Sequence, residues 1–151
     1  MIKLKNMIKE ETKDIVSFNG QIDKRYNIVV VFKAHPKYEE LKSFIGDKDI
    51  AATLPDKPII IVDGEELDNT SEDTIRFIEA HEIAHHLLKH NITWQSRQEK
   101  EADYGGYLLL RKYHFFRAAD LVKKYFKIHW KVSLDEFEKT SGDQIKKRMK
   151  I

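Results

Sequence analysis

Two runs rich in β-branched residues, NIVVVF at 27–32 and KPIIIV at 57–62, both lie before residue 64. After residue 70 the apolar residues recur at helical spacing. Strands early and helices late make an α+β chain, not an alternating βαβ one. YNIVVVFK (26–33) reads as a buried strand. IAATLPDKPIIIVDG (50–64) reads as two short strands around a Pro-Asp turn. Pro58 has no N–H for a ladder bond, so it starts the second strand or places that strand at a sheet edge.

Helices are expected around these strands. The first covers about 3–18, with Met7, Ile8, Ile15 and Val16 on one face and Asn19-Gly20 as its stop. Pro36 opens a short one that Gly46 closes. Thr70 or Ser71 caps a helix over about 71–90, with Glu72 and Asp73 at the positive end of its dipole. The next, about 96–112, starts at Ser96 with Glu99 at capping-box spacing. Apolar stripes predict two more, over 115–126 and within 133–149, the last with a possible break at Gly142.

With 151 residues the chain is expected to form one domain, 1–151. It has no cysteine, so disulfides and thiolate metal sites are excluded and any metal must be held by His, Asp and Glu. Its apolar runs are too short to span a membrane and its first residues lack the pattern of a signal peptide, so a cytoplasmic protein is expected. Charge is uneven: residues 111–151 carry 12 Lys/Arg against 5 Asp/Glu. Lys123, Lys124, Lys127 and Lys131, set among Tyr125, Phe126 and Trp130, suggest a solvated surface over an aromatic core stripe. Nucleic-acid binding is the rival reading.

AHEIAHHLLKH (80–90) holds four histidines and a glutamate. At about 100° per residue, with Phe77 at zero, Ala80, Ala84, Leu87 and Leu88 form the core stripe. His81 and His85 fall beside it at about 40° and 80°, with Glu82 near 140°. His86 and His90 fall near 180° and 220°, on what should be the wet face with Glu72, Arg76 and Glu79. His81 and His85 can therefore converge on one metal, with Glu82 placed as the base of an H-E-x-x-H site. The short pattern also occurs by chance, so a third ligand is needed.

QEKEADYGG (98–106) supplies a candidate. Glu99 and Asp103 stand at i and i+4 on the next helix, and a catalytic zinc takes three protein ligands with one open position. His81, His85 and Glu99 fill those three places, and Asp103 is placed to accept the free N–H of a liganding histidine. Glu101 lies about 200° from Glu99 and reads as a surface acid. Gly105 and Gly106, costly inside a helix, fit a close approach of the two helices. The metzincin pattern fails, because Leu88 and Asn91 stand where it needs Gly and His.

RFIEAHEIAHHLLKH (76–90) with EKEADYGGYLLL (99–110) resembles the gluzincin-type metallopeptidases, and more narrowly the small ImmA/IrrE-type peptidases and the mini-gluzincins. The likeness covers roughly residues 51–110, and Gly105-Gly106 depart from its usual residue pair. It implies a zinc endopeptidase acting on a protein or peptide substrate, with Glu82 as general base and a catalytic core at about 51–112. It also implies a small mixed or antiparallel sheet packed on the two metal-bearing helices, before a helical part at 113–151. On that reading 58–62 is the edge strand, and Ile59, Ile60 and Ile61 bind the substrate by β-augmentation. The oxyanion partner is open among Tyr113, His114 and His129. A latent or degenerate zinc scaffold that binds protein or nucleic acid through its basic C-terminal half is the alternative.

Overall fold

The early β-branched runs pair into a sheet, and the helical periods pack against it. In the computed structural model of the chain, which describes residues 14–46, 49–90 and 95–151, the strands are β1 (Ile15–Asn19), β2 (Asn27–Val31), β3 (Ala51–Thr53) and β4 (Ile59–Asp63). Their order in the sheet is β1-β2-β4-β3, with β2 and β4 parallel and both outer pairs antiparallel. The helices are α1 (Tyr38–Ile45), α2 (Glu72–Leu87), α3 (Ser96–Lys112), α4 (Phe116–Trp130) and α5 (Leu134–Met149). This is the expected α+β architecture: a mixed sheet, two central helices and a helical C-terminal part.

Alternation along the strands splits the core in two. Ile28, Val30, Ile60 and Val62 point to one face, where they join Ala80, Ile83 and Ala84 of α2. Val31 and Ile61 point to the other and pack on Ile45 of α1. Helices α2 and α3 are held close by small side chains. A Cβ on Gly105 would stand 2.9 Å from Ala84 Cβ, and one on Gly106 3.2 Å from His81 N. The close packing expected of these glycines is what the structure shows, and α3 runs through them unbroken. Gly142 likewise does not interrupt α5; a Cβ there would meet the Tyr104 hydroxyl at 2.9 Å.

Several expectations need correction. Residues 15–19 form a strand, not the end of a helix; Val16 turns inward between two exposed neighbours, which is a period of two. The rest of that expected helix lies outside the described residues, apart from Asp14. Strand β4 is not an edge. It pairs with β2 on one side and β3 on the other, so the edge beside it is β3. An apolar run buried on both faces marks an inner strand, and Pro58 avoids conflict by standing before it, its carbonyl accepting from Asn27 N at 2.8 Å. Ile59, Ile60 and Ile61 therefore lack the open edge that their assignment to substrate required. Ser96 does not cap α3: it is the first helical residue, where its hydroxyl is past the cap position, and the cap residue, Gln95, makes no side-chain capping bond. Ser71 and Ser133 do cap, accepting from Thr74 N and Glu136 N.

Candidate metal centre

Helix α2 stacks His81 over His85, one turn apart, with the rings edge to face and their centroids 4.6 Å apart. Their Nε2 atoms are 3.0 Å from each other. Helix α3, drawn close by its glycines, brings Glu99 up to both: Oε1 is 3.2 Å from His81 Nε2 and Oε2 is 2.9 Å from His85 Nε2. One donor atom from each of the three residues lies within 4.8 Å of the others, a spacing that could hold a metal ion.

The outer nitrogens of both rings are engaged. His81 Nδ1 lies 2.8 Å from Asp103 Oδ1. Asp103 also accepts from Trp130 Nε1 at 2.7 Å. A carboxylate can only accept, so Nδ1 of His81 holds a proton toward Asp103, and Nε2 is the ring atom left to face Glu99. Asp103 thus stands where the sequence placed it. On His85, Nδ1 lies 2.9 Å from His90 Nδ1. Two imidazole Nε2 atoms and a carboxylate converge on one point, the donor types that suit zinc once the ring nitrogens give up their protons there.

His90 and Glu101 are the largest departures from expectation. Helix α2 stops at Leu87, and Lys89 takes a left-handed conformation with φ 57°. Lys89 N donates to His86 O and His90 N donates to His85 O, which is a Schellman closure. That closure folds His90 back beneath His85 instead of out toward water. His90 is 8% exposed, and its Nε2 meets Glu101 Oε1 at 2.8 Å. His86 is also inward, bonded to the Tyr26 hydroxyl through Nδ1 at 2.7 Å. Arg76 and Glu79, expected in water, form a buried pair at 2.8 Å, and Glu79 accepts from Ile22 N in the segment that covers them.

The charges of the site push on one another. Burial drives the Glu82 carboxyl up to about 7, with Glu99 and Asp49 adding to the rise and the two imidazoles opposing it. Its Oε2 stands 3.9 Å from His81 Nε2. Burial would raise Glu99 too, but hydrogen bonds to His81 and His85 outweigh it and hold Glu99 below its ordinary range. Burial would lower His81, yet its bonds to Asp103 and Glu99 carry it well above its ordinary value.

The three donors and Glu82 line a cleft of ≈ 310 Å³. Edge strand β3 forms one wall through Ala51, Ala52 and Thr53, and Phe77 and Tyr125 contribute to another. None of Tyr113, His114 and His129 lines the cleft; the nearby phenol is Tyr125. Its ring stacks on His129 at 5.1 Å and leans on Phe77 at 5.7 Å. Burial holds its hydroxyl up at about 12, so it remains a proton donor at neutral pH. In the sequence Tyr125 reads as part of an aromatic core stripe or of a nucleic-acid-binding surface, not as a cleft residue. Its neighbour Phe126 is that core, fully buried, while Trp130 reaches Asp103.

A sheet laid over a His-Glu-x-x-His helix, with a glutamate supplied by the next helix, is the arrangement of a metallopeptidase-type domain. The chain belongs to the family described as the IrrE N-terminal-like domain (Peptidase_M78), whose sequence model matches residues 23–141. No curated protein matches the chain, and no solved structure does. Among the described residues, no helix is long and apolar enough to cross a membrane.

Proposed function

We propose that this chain is a zinc-dependent endopeptidase that hydrolyses a peptide bond in a protein or peptide substrate. The observation that carries the reading is the convergence of His81 Nε2, His85 Nε2 and a Glu99 carboxylate oxygen beside Glu82 in an open cleft. His81, His85 and Glu99 would hold the ion. Zinc, when bound, supplies a Lewis acid that polarises the scissile carbonyl and lowers the pKa of a water to ~7.

The remaining steps belong to the protein. Glu82 removes a proton from the attacking water and returns it to the leaving amine as the C–N bond breaks. Tyr125, a neutral phenol on the cleft wall, donates a hydrogen bond to the carbonyl oxygen as negative charge develops there. The substrate backbone runs along β3, whose outer edge is unpaired among the described residues and whose Ala52 and Thr53 line the cleft. The β-augmentation expected of the wrong strand thereby passes to its neighbour.

The test is metal analysis of the purified protein, followed by a peptide-library cleavage screen with and without a chelator. Zinc at one equivalent per chain and chelator-sensitive cleavage are expected. Glu82→Gln should keep the metal and lose cleavage by at least ~10²-fold. Full activity in that variant would falsify the assignment of the base.

A further inference from the structure

Both candidate metal-holding imidazoles are buttressed from the C-terminal helices, but only one buttress follows the usual carboxylate–histidine pattern. His81 is held by Asp103, which Trp130 of α4 holds in turn. For His85 the path is longer. Glu101 accepts from His90 at Oε1, and its other oxygen, Oε2, lies 3.1 Å from Arg148 Nη1 of α5. The Glu101 side chain is 4% exposed and that of His90 is 3% exposed, so their contact is closed to water. Arg148 also bonds Gln144 at 3.0 Å, and its Nη2 lies 3.5 Å from the Leu88 carbonyl at the end of α2. Arg97 approaches Glu101 Oε2 no closer than 3.8 Å and is largely exposed, so Arg148 is the stronger anchor.

Proton bookkeeping gives this chain of contacts one direction. Glu101, ionised beside Arg148, can only accept, so His90 carries its proton on Nε2. Its Nδ1 is then an acceptor, and the only proton available for the 2.9 Å contact with His85 is the one on His85 Nδ1. With Nδ1 so engaged, Nε2 is the atom of His85 left to ligate, and it faces Glu99 and His81. We infer that His90, Glu101 and Arg148 form a positioning relay that fixes the tautomer and ring angle of His85, so that metal affinity depends on the docking of α5. The relay rests on the metal-centre reading above and adds to it a role for three residues outside the motif. None of the three touches substrate; they act through His85.

The experiment measures Zn²⁺ affinity of the full chain by competition with a chromogenic chelator, alongside circular dichroism of the metal-free proteins. His90→Phe keeps an aromatic ring of similar size but no ring nitrogen, and should weaken Zn²⁺ binding by about 10–100-fold. His90→Gln, which can accept at Oε1 and donate at Nε2, should recover most of the loss. Arg148→Met should weaken binding at least ~3-fold, since it frees Glu101 without removing the histidine contact. In the zinc-loaded parent, imidazole ¹⁵N spectra should show His85 protonated at Nδ1, and that proton signal should vanish in His90→Phe. A folded His90→Phe protein that binds Zn²⁺ as tightly as the parent overturns the relay. If His90→Phe does not fold, parent-like affinity in Arg148→Met overturns it instead. A parent that binds no Zn²⁺ removes the proposed peptidase centre and the relay together, which separates that failure from the failure of the relay alone.

Discussion

Gly106 lies against the backbone of His81: a Cβ added to it would sit 3.2 Å from His81 N and 3.3 Å from Ala80 C. The missing side chain here, with that of Gly105, lets α3 approach α2 closely enough to bring Glu99 to the two histidines. Gly106→Ala gains about 1 kcal/mol of helix propensity, but the atoms it meets are backbone and cannot rotate away. Overpacking of this kind costs about 1–3 kcal/mol. The variant should lose ~1 kcal/mol net, a fall of about 2–4 °C in Tm, and should bind zinc more weakly because α3 is pushed outward. Calorimetry and chelator competition check both; unchanged affinity would contradict the role given to this glycine.

Glu82 makes the metal-free protein less stable as pH rises. Its carboxyl goes from 4.5 to about 7 on folding, so between those values the native state holds a proton that the unfolded state has released. The stability of the native state therefore falls with increasing pH across that window. By pH 8 the deficit is on the order of 3 kcal/mol. Glu82→Gln carries no such proton, so its stability relative to the metal-free parent should grow from pH 5 to pH 8. Urea unfolding in chelator at several pH values measures the difference, and a gap that stays constant with pH would rule the explanation out. A cation at His81, His85 and Glu99 places positive charge beside this carboxyl, so the acid limb of cleavage should fall below pH 7.

Tyr125→Phe removes only a hydroxyl from the cleft wall. If that hydroxyl supports the developing oxyanion, kcat should drop by ~10²-fold or more while zinc affinity stays at the parent level. A change confined to KM would instead assign Tyr125 to substrate binding.

Glu79 holds a buried arginine and a backbone amide at once, with 2.8 Å to Arg76 Nη1 and 2.7 Å to Ile22 N. Glu79→Ala leaves both unpaired in a dry site, at a cost of about 3–5 kcal/mol. Glu79→Gln keeps an acceptor for Ile22 N and should cost less. Denaturant midpoints rank the two; equal losses would show that the ion pair contributes nothing beyond the amide contact.

The parts of the site that lie inside one helical period were legible from residues alone. His81, Glu82 and His85 share α2, and Glu99 and Asp103 share a face of α3, so counting at 100° per residue placed each correctly. His90 was misplaced because the same count was continued past Leu88, where the helix had already stopped. Glu101 followed it into error, since its inward partner was missing. Arg148 is 47 residues from Glu101 and carries no local signal at all. Arg76 and Glu79 read as surface charges because nothing in a helix wheel shows that residues 20–26 fold over them. The strand error had a different source. Pro58 marks only where a strand can begin, as it does here; the edge position came from the family resemblance, and which strand lies outermost is a matter of long-range pairing.

The turn at Lys89 bears on moving this centre elsewhere. A lysine there holds a left-handed backbone that glycine adopts more cheaply, and the reward is a histidine returned to the underside of His85. Grafting His81 to His85 and Glu99 onto another pair of helices would copy the visible motif and leave one imidazole free to spin. A working transplant has to carry the place where the helix gives out.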